Sequence, residues 1–169
     1  MYDRELNELL CRIAAGDGAA LETLYREMKT PLFTVIYRIV GERTLAEDTL
    51  QELFVQLWRS CPAPQKPRAY LFAMARNLAI DALREKGDVD AFDEASEPAA
   101  AEDAVEKLDL DAALARLTSE ERQIVLLHIH GGLRFREVAA IVKEPLGTVL
   151  WRYRRALGQM RDYLNGGMK

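Results

Sequence analysis

The side chains whose types and spacing point most directly to chemistry lie near the end of this 169-residue chain: Thr148, Trp151, Arg152, Arg154 and Arg155, preceded by Arg134 and Arg136. In helical register Thr148, Trp151, Arg154 and Arg155 share one face and Arg152 flanks it. Guanidinium groups bond phosphate oxygens or read guanine through two parallel hydrogen bonds. On the other side, Val149, Tyr153, Ala156, Leu157, Met160 and Leu164 recur within about 100° of a helical wheel, which marks an amphipathic helix. Phe135, Val138, Ala139, Ile141 and Val142 give a short helix before it, opened by Arg134 and Arg136. The two are separated by a tight turn at Lys143-Glu144-Pro145. A short helix, a turn and a longer basic helix have the shape of a helix-turn-helix, which presents the start of its second helix to the DNA major groove.

Charge is segregated along the chain. The net charge is -4, too acidic on its face for a nucleic-acid binder. Residues 1–86 nevertheless hold 12 acidic and 12 basic side chains, residues 87–111 hold 10 acidic and 1 basic, and residues 112–169 hold 5 acidic and 10 basic. A basic C-terminal module is thus set apart from a neutral N-terminal one by an acidic stretch, an asymmetry that favours nucleic acid as a partner.

Catalytic chemistry finds little support. His128-Ile-His130 is the only histidine pair, and residues two apart on a helix do not share a face. No phosphate-cradling Gly-rich loop and no nucleophile elbow is present. No catalytic residue, metal site, cofactor or small-molecule substrate is therefore expected. Cys11 and Cys61 match neither a zinc motif nor a disulfide scaffold. They are expected to be reduced, partly buried thiols, and nothing in the sequence argues that they pair on oxidation. The opening MYDRELNELL lacks the pattern of a signal peptide, and no run of about 18 apolar residues occurs. The expectation is a soluble cytoplasmic protein with no membrane insertion.

The elements that must position these groups are helical throughout. Leu6, Leu9, Leu10 and Ile13 make a first helix, stopped by Gly16-Asp17-Gly18. Leu21, Leu24, Tyr25 and Met28 make a second, and Pro31 opens a third carrying Leu32, Phe33, Ile36, Tyr37 and Val40. Thr44 to Glu47 has the spacing of a capping box. The helix behind it puts Leu50, Leu53, Phe54, Leu57 and Trp58 on a buried stripe, with Asp48, Gln51, Glu52, Val55 and Arg59 on the other face. A Pro-punctuated loop, Cys61 to Pro67, leads into a helix that Pro67 starts and Gly87 stops. Its expected buried stripe is Leu71, Met74, Ala75, Leu78 and Ala82, leaving Arg68, Phe72, Arg76, Asn77 and Arg84 outside. Residues 87–104 are acidic, Ala- and Pro-rich and poor in large apolar groups, which suits a flexible linker or a docked segment competing for a basic surface. The last module opens with a helix bearing Leu108, Leu114 and Leu117, then a second capping box at Thr118 to Glu121, then Ile124, Val125 and Leu127 before a break at Gly131-Gly132. The fold class expected is all-α, with two small helical domains at 1–86 and 105–169 joined by an acidic flexible linker at 87–104.

Gly132 to Ala139, Pro145 to Val149 and Arg152 to Ala156 resemble the promoter-binding C-terminal domain, region 4, of bacterial RNA polymerase sigma factors, and most closely the extracytoplasmic-function subfamily of the sigma-70 family. Ala46 to Phe54 with Leu57-Trp58 resembles the family's core-polymerase-binding helix. Pro67 to Phe72, Ala75 to Asp81 and Leu83-Arg84 resemble its promoter-melting segment in region 2. The resemblance implies a transcription initiation factor, not an enzyme, that binds core RNA polymerase and promoter DNA and is controlled by an anti-sigma factor. It implies that Asp48, Gln51, Glu52 and Val55 meet the clamp helices of the polymerase largest subunit. It also implies that Arg68, Phe72, Arg76, Asn77 and Arg84 face the proximal promoter element, with the loop Cys61 to Lys66 receiving a flipped-out base. Arg134, Arg136, Thr148, Trp151, Arg152, Arg154 and Arg155 would meet the distal element.

The sequence departs from the family pattern in three places. Leu150 and Trp151 stand where Lys and Ser are common, so Trp151 either touches thymine methyls or packs against a protein surface, the use more usual for a large exposed aromatic. Lys143 stands where Gly is frequent. The melting helix ends Arg84-Glu85-Lys86 and turns acidic, which predicts weak non-specific DNA attraction. The rival functions are a sigma-like decoy that binds an anti-sigma factor without DNA, and a helix-turn-helix repressor with a helical effector domain. The second leaves the N-terminal motifs without a role.

Overall fold

A computed structural model describes residues 1–87 and 105–166, with the side chains of 105–108 outside the description. The acidic stretch expected to be a linker lies outside the described residues from Asp88 onward. The described residues form eight helices and no strand: α1 Asp3–Ala14, α2 Gly18–Val40, α3 Arg43–Arg59, α4 Pro67–Lys86, α5 Val105–Ala115, α6 Ser119–Ile129, α7 Phe135–Val142 and α8 Leu146–Leu164. They fall into two compact units, one ending at Gly87 and the other holding α5 to α8.

In the first unit α2 packs against α1, α3 and α4, and α4 also packs against α1 and α3. Leu6, Leu10, Ile13, Leu24, Leu32, Ile36, Leu53, Leu57, Leu71 and Phe72 are almost wholly shielded from water. Asp17 caps α2 by accepting from the N–H groups of Ala19 and Ala20, and it pairs with Arg12 at 2.9 Å. These bonds, the Arg12 one foremost, hold its carboxyl below the usual range.

Five expectations fail in this unit, one of them the partial burial of Cys11, which is exposed while Cys61 is half-buried. The second and third helices are one helix, with Pro31 inside it. An interior proline costs about 3 kcal/mol, but Leu24, Met28, Leu32, Val35, Ile36 and Ile39 form one unbroken buried stripe across it, and their burial outweighs that cost. Thr44 is not the N-cap. Glu42 precedes the first turn of α3, and Glu47 pairs with Arg43 at 3.1 Å. Trp58, one residue from the end of α3, is 46% exposed. On α4 the buried set is Pro67, Leu71, Phe72, Ala75, Ala79 and Leu83, while Met74, Leu78 and Ala82 are only half-buried. Because α4 is flanked by three helices, its covered face is wider than one stripe and is turned toward its largest apolar side chain, Phe72.

In the second unit α8 packs against α5, α6 and α7. Thr118 caps α6 as its spacing predicts: its hydroxyl accepts from Glu121 N–H, and Glu121 accepts from Thr118 N–H. Buried Arg122 donates to the carbonyl oxygens of Leu114, Ala115 and Leu117 at 3.0–3.2 Å, closing the end of α5. The expected break follows α6, where Gly131 meets the Leu127 carbonyl so closely that a Cβ would lie 2.4 Å from its oxygen. The stripe on α8 is narrower than expected: Val149, Ala156 and Met160 are buried, Tyr153 is half-buried, and Leu157 and Leu164 are exposed.

Candidate nucleic-acid and partner interfaces

The α3 surface is set by the period of the helix. Burying Leu50, Leu53, Phe54 and Leu57 leaves Asp48, Gln51, Glu52 and Val55 exposed together on the opposite side. Val55 is 40% exposed, so an apolar group sits among the polar ones. Glu52 accepts from Gln56 at 3.0 Å, which aligns it along the helix. Trp58, three residues after Val55, is an exposed aromatic beside this face that sequence periodicity had assigned to the core. Beside the face, α3 and α4 border an open groove of about 540 Å³, lined by Asp48, Glu52, Asp81 and Glu85 together with Leu45 and Leu78. Its carboxylates suit a basic or hydrogen-bond-donating partner surface.

The α4 surface is basic. Asn77 and Arg84 are exposed and Arg76 is partly so. Arg76 donates to the Asn77 side-chain oxygen at 3.0 Å. Burial, with the nearby Arg84 charge, pulls the Arg76 pKa below the usual guanidinium range. Arg84 itself lies 4.0 Å from the carboxylate of Asp81, three residues before it on the same helix. Phe72 is not part of this surface. It is fully buried, and the Arg68 guanidinium lies over its ring at 5.4 Å. The aromatic ring supports the arginine from below, because burying it contributes about 2–3 kcal/mol that exposure would forfeit.

The third surface belongs to α7 and α8. Arg134 and Arg136 are exposed at the start of α7. Lys143 ends α7 in the left-handed conformation, φ 58° and ψ 44°, the only non-Gly residue at positive φ among those described. The turn therefore keeps the shape a Gly would give. Along α8, Thr148 is half-buried, while Trp151 (57% exposed), Arg154 and Arg155 stand outward. Arg152 pairs with Glu144 of the turn at 3.5 Å. The Arg155 guanidinium lies over the Trp151 ring at 5.5 Å and pairs at 3.5 Å with Glu121, a carboxylate almost wholly buried. A cation over an indole face is worth about 0.5–1 kcal/mol at an exposed site. Beneath the turn, His128 stacks on Phe135 at 4.0 Å, meets Tyr153 edge-on, and lies 2.8 Å by its Nδ1 from the Leu133 carbonyl oxygen. This packing accounts for His128, and no set of three metal-ligating side chains occurs among the described residues.

Two family models match the chain: sigma-70 region 2 over residues 24–88 and sigma-70 region 4 over residues 113–162. The chain belongs to the sigma-70 family. It is 29% identical over 178 residues to the ECF RNA polymerase sigma factor SigK of Mycobacterium tuberculosis (strain ATCC 25618 / H37Rv), covering 95% of this chain and 94% of that one. It is 33% identical over 167 residues to the ECF sigma factor SigE of Mycolicibacterium smegmatis, covering 89% of this chain and 65% of that protein. The solved structure of CnrH in complex with the cytosolic domain of CnrY has the same fold, with a TM-score of 0.72, 20% identity, and coverage of 96% of this chain and 98% of that one. The sigma factor RpoE, solved with the anti-sigma factor NepR from Bartonella quintana, matches with a TM-score of 0.63 at 23% identity, covering 85% of this chain and 98% of that one. This sigma factor, of the ECF type, is thus a transcription initiation factor that binds core polymerase and directs it to promoters, and it is not an enzyme. No helix of the described residues is long and apolar enough to cross a membrane.

Proposed function

We propose that residues 1–86 dock this sigma factor on core polymerase and open promoter DNA, while residues 105–169 read the distal element as duplex. The α3 face of Asp48, Gln51, Glu52 and Val55 meets the clamp helices of the largest subunit, with Trp58 as an added apolar anchor. Aromatic anchors of this kind carry a large share of interface energy. Arg68, Arg76, Asn77 and Arg84 track the proximal element, and Phe72 acts only through Arg68. The loop Cys61 to Lys66 receives a flipped-out base, whose unstacking costs a few kcal/mol and is offset by contacts in its pocket. Arg134, Arg136, Arg152 and Arg154 bond phosphates or guanines, and Thr148, Trp151 and Arg155 complete the face toward the distal element.

What supports this reading is that each module turns its motif side chains outward from a core made by the same helix: Asp48, Gln51 and Glu52 in one, Trp151, Arg154 and Arg155 in the other. The protein performs no covalent chemistry in this scheme; it binds and separates strands, and the polymerase makes the bonds. Its place of work is the cytoplasm, where polymerase and promoters are. An anti-sigma factor is the expected inhibitor, since the two solved structures described above are complexes with a protein partner, and exposed Trp151 suits such a partner as well as it suits thymine methyls.

The test is run-off transcription by purified bacterial core polymerase on fragmented genomic DNA of the source organism, with and without this protein, followed by sequencing of the 5′ ends. The expected result is a set of discrete new starts sharing two spaced upstream elements. Absence of new starts together with no retention of core in a pull-down would overturn the scheme and favour the decoy.

A further inference from the structure

Cys11 and Cys61 are 50 positions apart in sequence, yet the fold brings them to one place. The Cys61 thiol donates to the carbonyl oxygen of Leu10 at 3.5 Å, and that oxygen belongs to the peptide bond leading into Cys11. Peptide geometry puts a carbonyl oxygen about 3 Å from the next Cα, so the Cys61 sulfur is within roughly 6.5 Å of the Cys11 Cα. A disulfide needs the two Cα atoms about 4.4–6.8 Å apart; the Cys61 sulfur already lies against the α1 backbone at the peptide entering Cys11, so closure asks for movement of the Cys11 side chain and of the loop carrying Cys61. Cys11 is exposed and Cys61 half-buried, so one thiol is open to an oxidant and the other is sheltered beside it. Burial, and then the nearness of Cys11, push the Cys61 thiol up; it is thus the poorer first nucleophile.

We propose that Cys11 and Cys61 are a peroxide-oxidisable pair that closes into a disulfide between the end of α1 and the loop joining α3 to α4. The Cys11 thiolate attacks one peroxide oxygen, the O–O bond breaks, and hydroxide leaves to become water, which makes Cys11 a sulfenic acid. The Cys61 sulfur then attacks the Cys11 sulfur, the S–O bond breaks, and the departing hydroxide takes the Cys61 proton as a second water. Two thiols lose two electrons and one peroxide gains them. The product pins Cys61, the first residue of the loop assigned above to the flipped base, against α1. This last consequence rests on the proposed promoter-melting role; the chemistry at sulfur does not.

The experiment uses the full reduced chain, treated with hydrogen peroxide and followed by intact mass and thiol counting. The expected product is a monomer lighter by about 2 Da, with both thiols gone and both restored by dithiothreitol. Cys61→Ser should instead accumulate a dimedone-trappable sulfenic acid at Cys11. Mass gains of oxygen with no lighter species, or disulfide-linked dimers in its place, would overturn the proposal. In a second arm, permanganate footprinting of promoter DNA with core polymerase should show several-fold less strand opening by the oxidised protein and no such loss for oxidant-treated Cys11→Ser. Opening by the oxidised form equal to that of the reduced form would overturn the loop consequence. A reduced wild-type chain that opens no promoter would strike the proposed function, and would leave the mass result standing.

Discussion

The acidic face of α3 and the basic face of α8 are both helix surfaces backed by a buried apolar stripe, but their polar groups are held differently. On the exposed face of α3 Gln56 donates to Glu52 and Arg43 to Glu47, both within the helix, and a side-chain pair to another element is made at its N-cap, where Glu42 meets Lys86 of α4. On α8 the contacts of the face leave the helix: Arg152 reaches Glu144 in the turn, and Arg155 reaches Glu121 on α6. Short carboxylates and amides are aimed well enough by the helix that carries them. An arginine carries about 2 kcal/mol of rotamer freedom, so orienting one in advance takes a partner on another element. Such orientation lowers what must be ordered when a ligand binds. On the proposed assignments, α3 as a clamp-binding face can tolerate adjustment at its rim, whereas α8 as a base-reading face loses discrimination when its donors wander.

Breaking the core beneath a surface should have the largest effect. Phe72→Ala should destabilise the first unit by about 3–5 kcal/mol, seen as a lowered first transition in calorimetry with the second unit's transition unmoved. Near-neutral stability with selective loss of DNA binding would instead return Phe72 to the promoter surface. Next comes a contrast between two arginines of the second unit. Arg122→Met strips three carbonyl partners from a buried site and should cost about 2–4 kcal/mol. Arg154→Ala, on the exposed face, should leave stability within about 0.5 kcal/mol. It should lower DNA affinity and reduce the salt slope of binding by about one unit. Denaturant titration and binding isotherms at several salt concentrations separate the two.

Glu121→Gln sharpens the comparison further. Glutamine can still take part in the capping box with Thr118, so unfolding should shift by less than about 1 kcal/mol. The charge that holds Arg155 is gone, and discrimination of the distal element should fall by about tenfold, the scale of one well-placed arginine contact, with non-specific affinity maintained. Unchanged discrimination would show that Arg155 orients itself without Glu121.

Most of what was legible in the sequence is what local rules decide, although the same capping spacing misplaced the start of α3, which opens at Arg43 behind Glu42 and not behind Thr44. The capping box at Thr118 and Glu121, the stop at Gly87, the start at Pro67 and the period that exposes Asp48, Gln51 and Glu52 each depend on a few adjacent residues, and each is found where spacing put it. Pro31, Phe72 and Trp58 were misplaced because neighbours distant in sequence decide their fate. Pro31 is overridden by a stripe continuing on both sides of it. Phe72 is covered because three helices flank α4, and Trp58 is left out at a helix end. The nearness of Cys61 to Cys11 had no local signal at all, since it arises only when the loop after α3 returns to α1. The arginine partners lie between these cases. Arg152 and Glu144 are close in sequence, whereas Arg155 and Glu121 meet only through the packing of α8 on α6.

The smallest effect tests the turn that separates the two helices of the DNA-reading unit. Lys143 sits at φ 58°, ψ 44° with its side chain exposed, so its left-handed backbone, rather than a lost contact, dominates its energetics. An L-residue other than Gly pays about 1 kcal/mol or more for this conformation. Glycine avoids that cost and gives part of it back through greater freedom in the unfolded chain. Lys143→Gly should therefore stabilise the second unit by about 0.5–1 kcal/mol, whereas Lys143→Ala, which keeps the strain, should gain nothing. Both variants remove the same positive charge, so any common loss of DNA affinity belongs to the charge, and only the difference between them reports the backbone. Equal stabilities for the two would mean that residue 143 is not left-handed in the folded protein, and the helix-turn-helix angle that aims Arg154 and Trp151 would then have to come from Pro145 and the packing of Val149 alone.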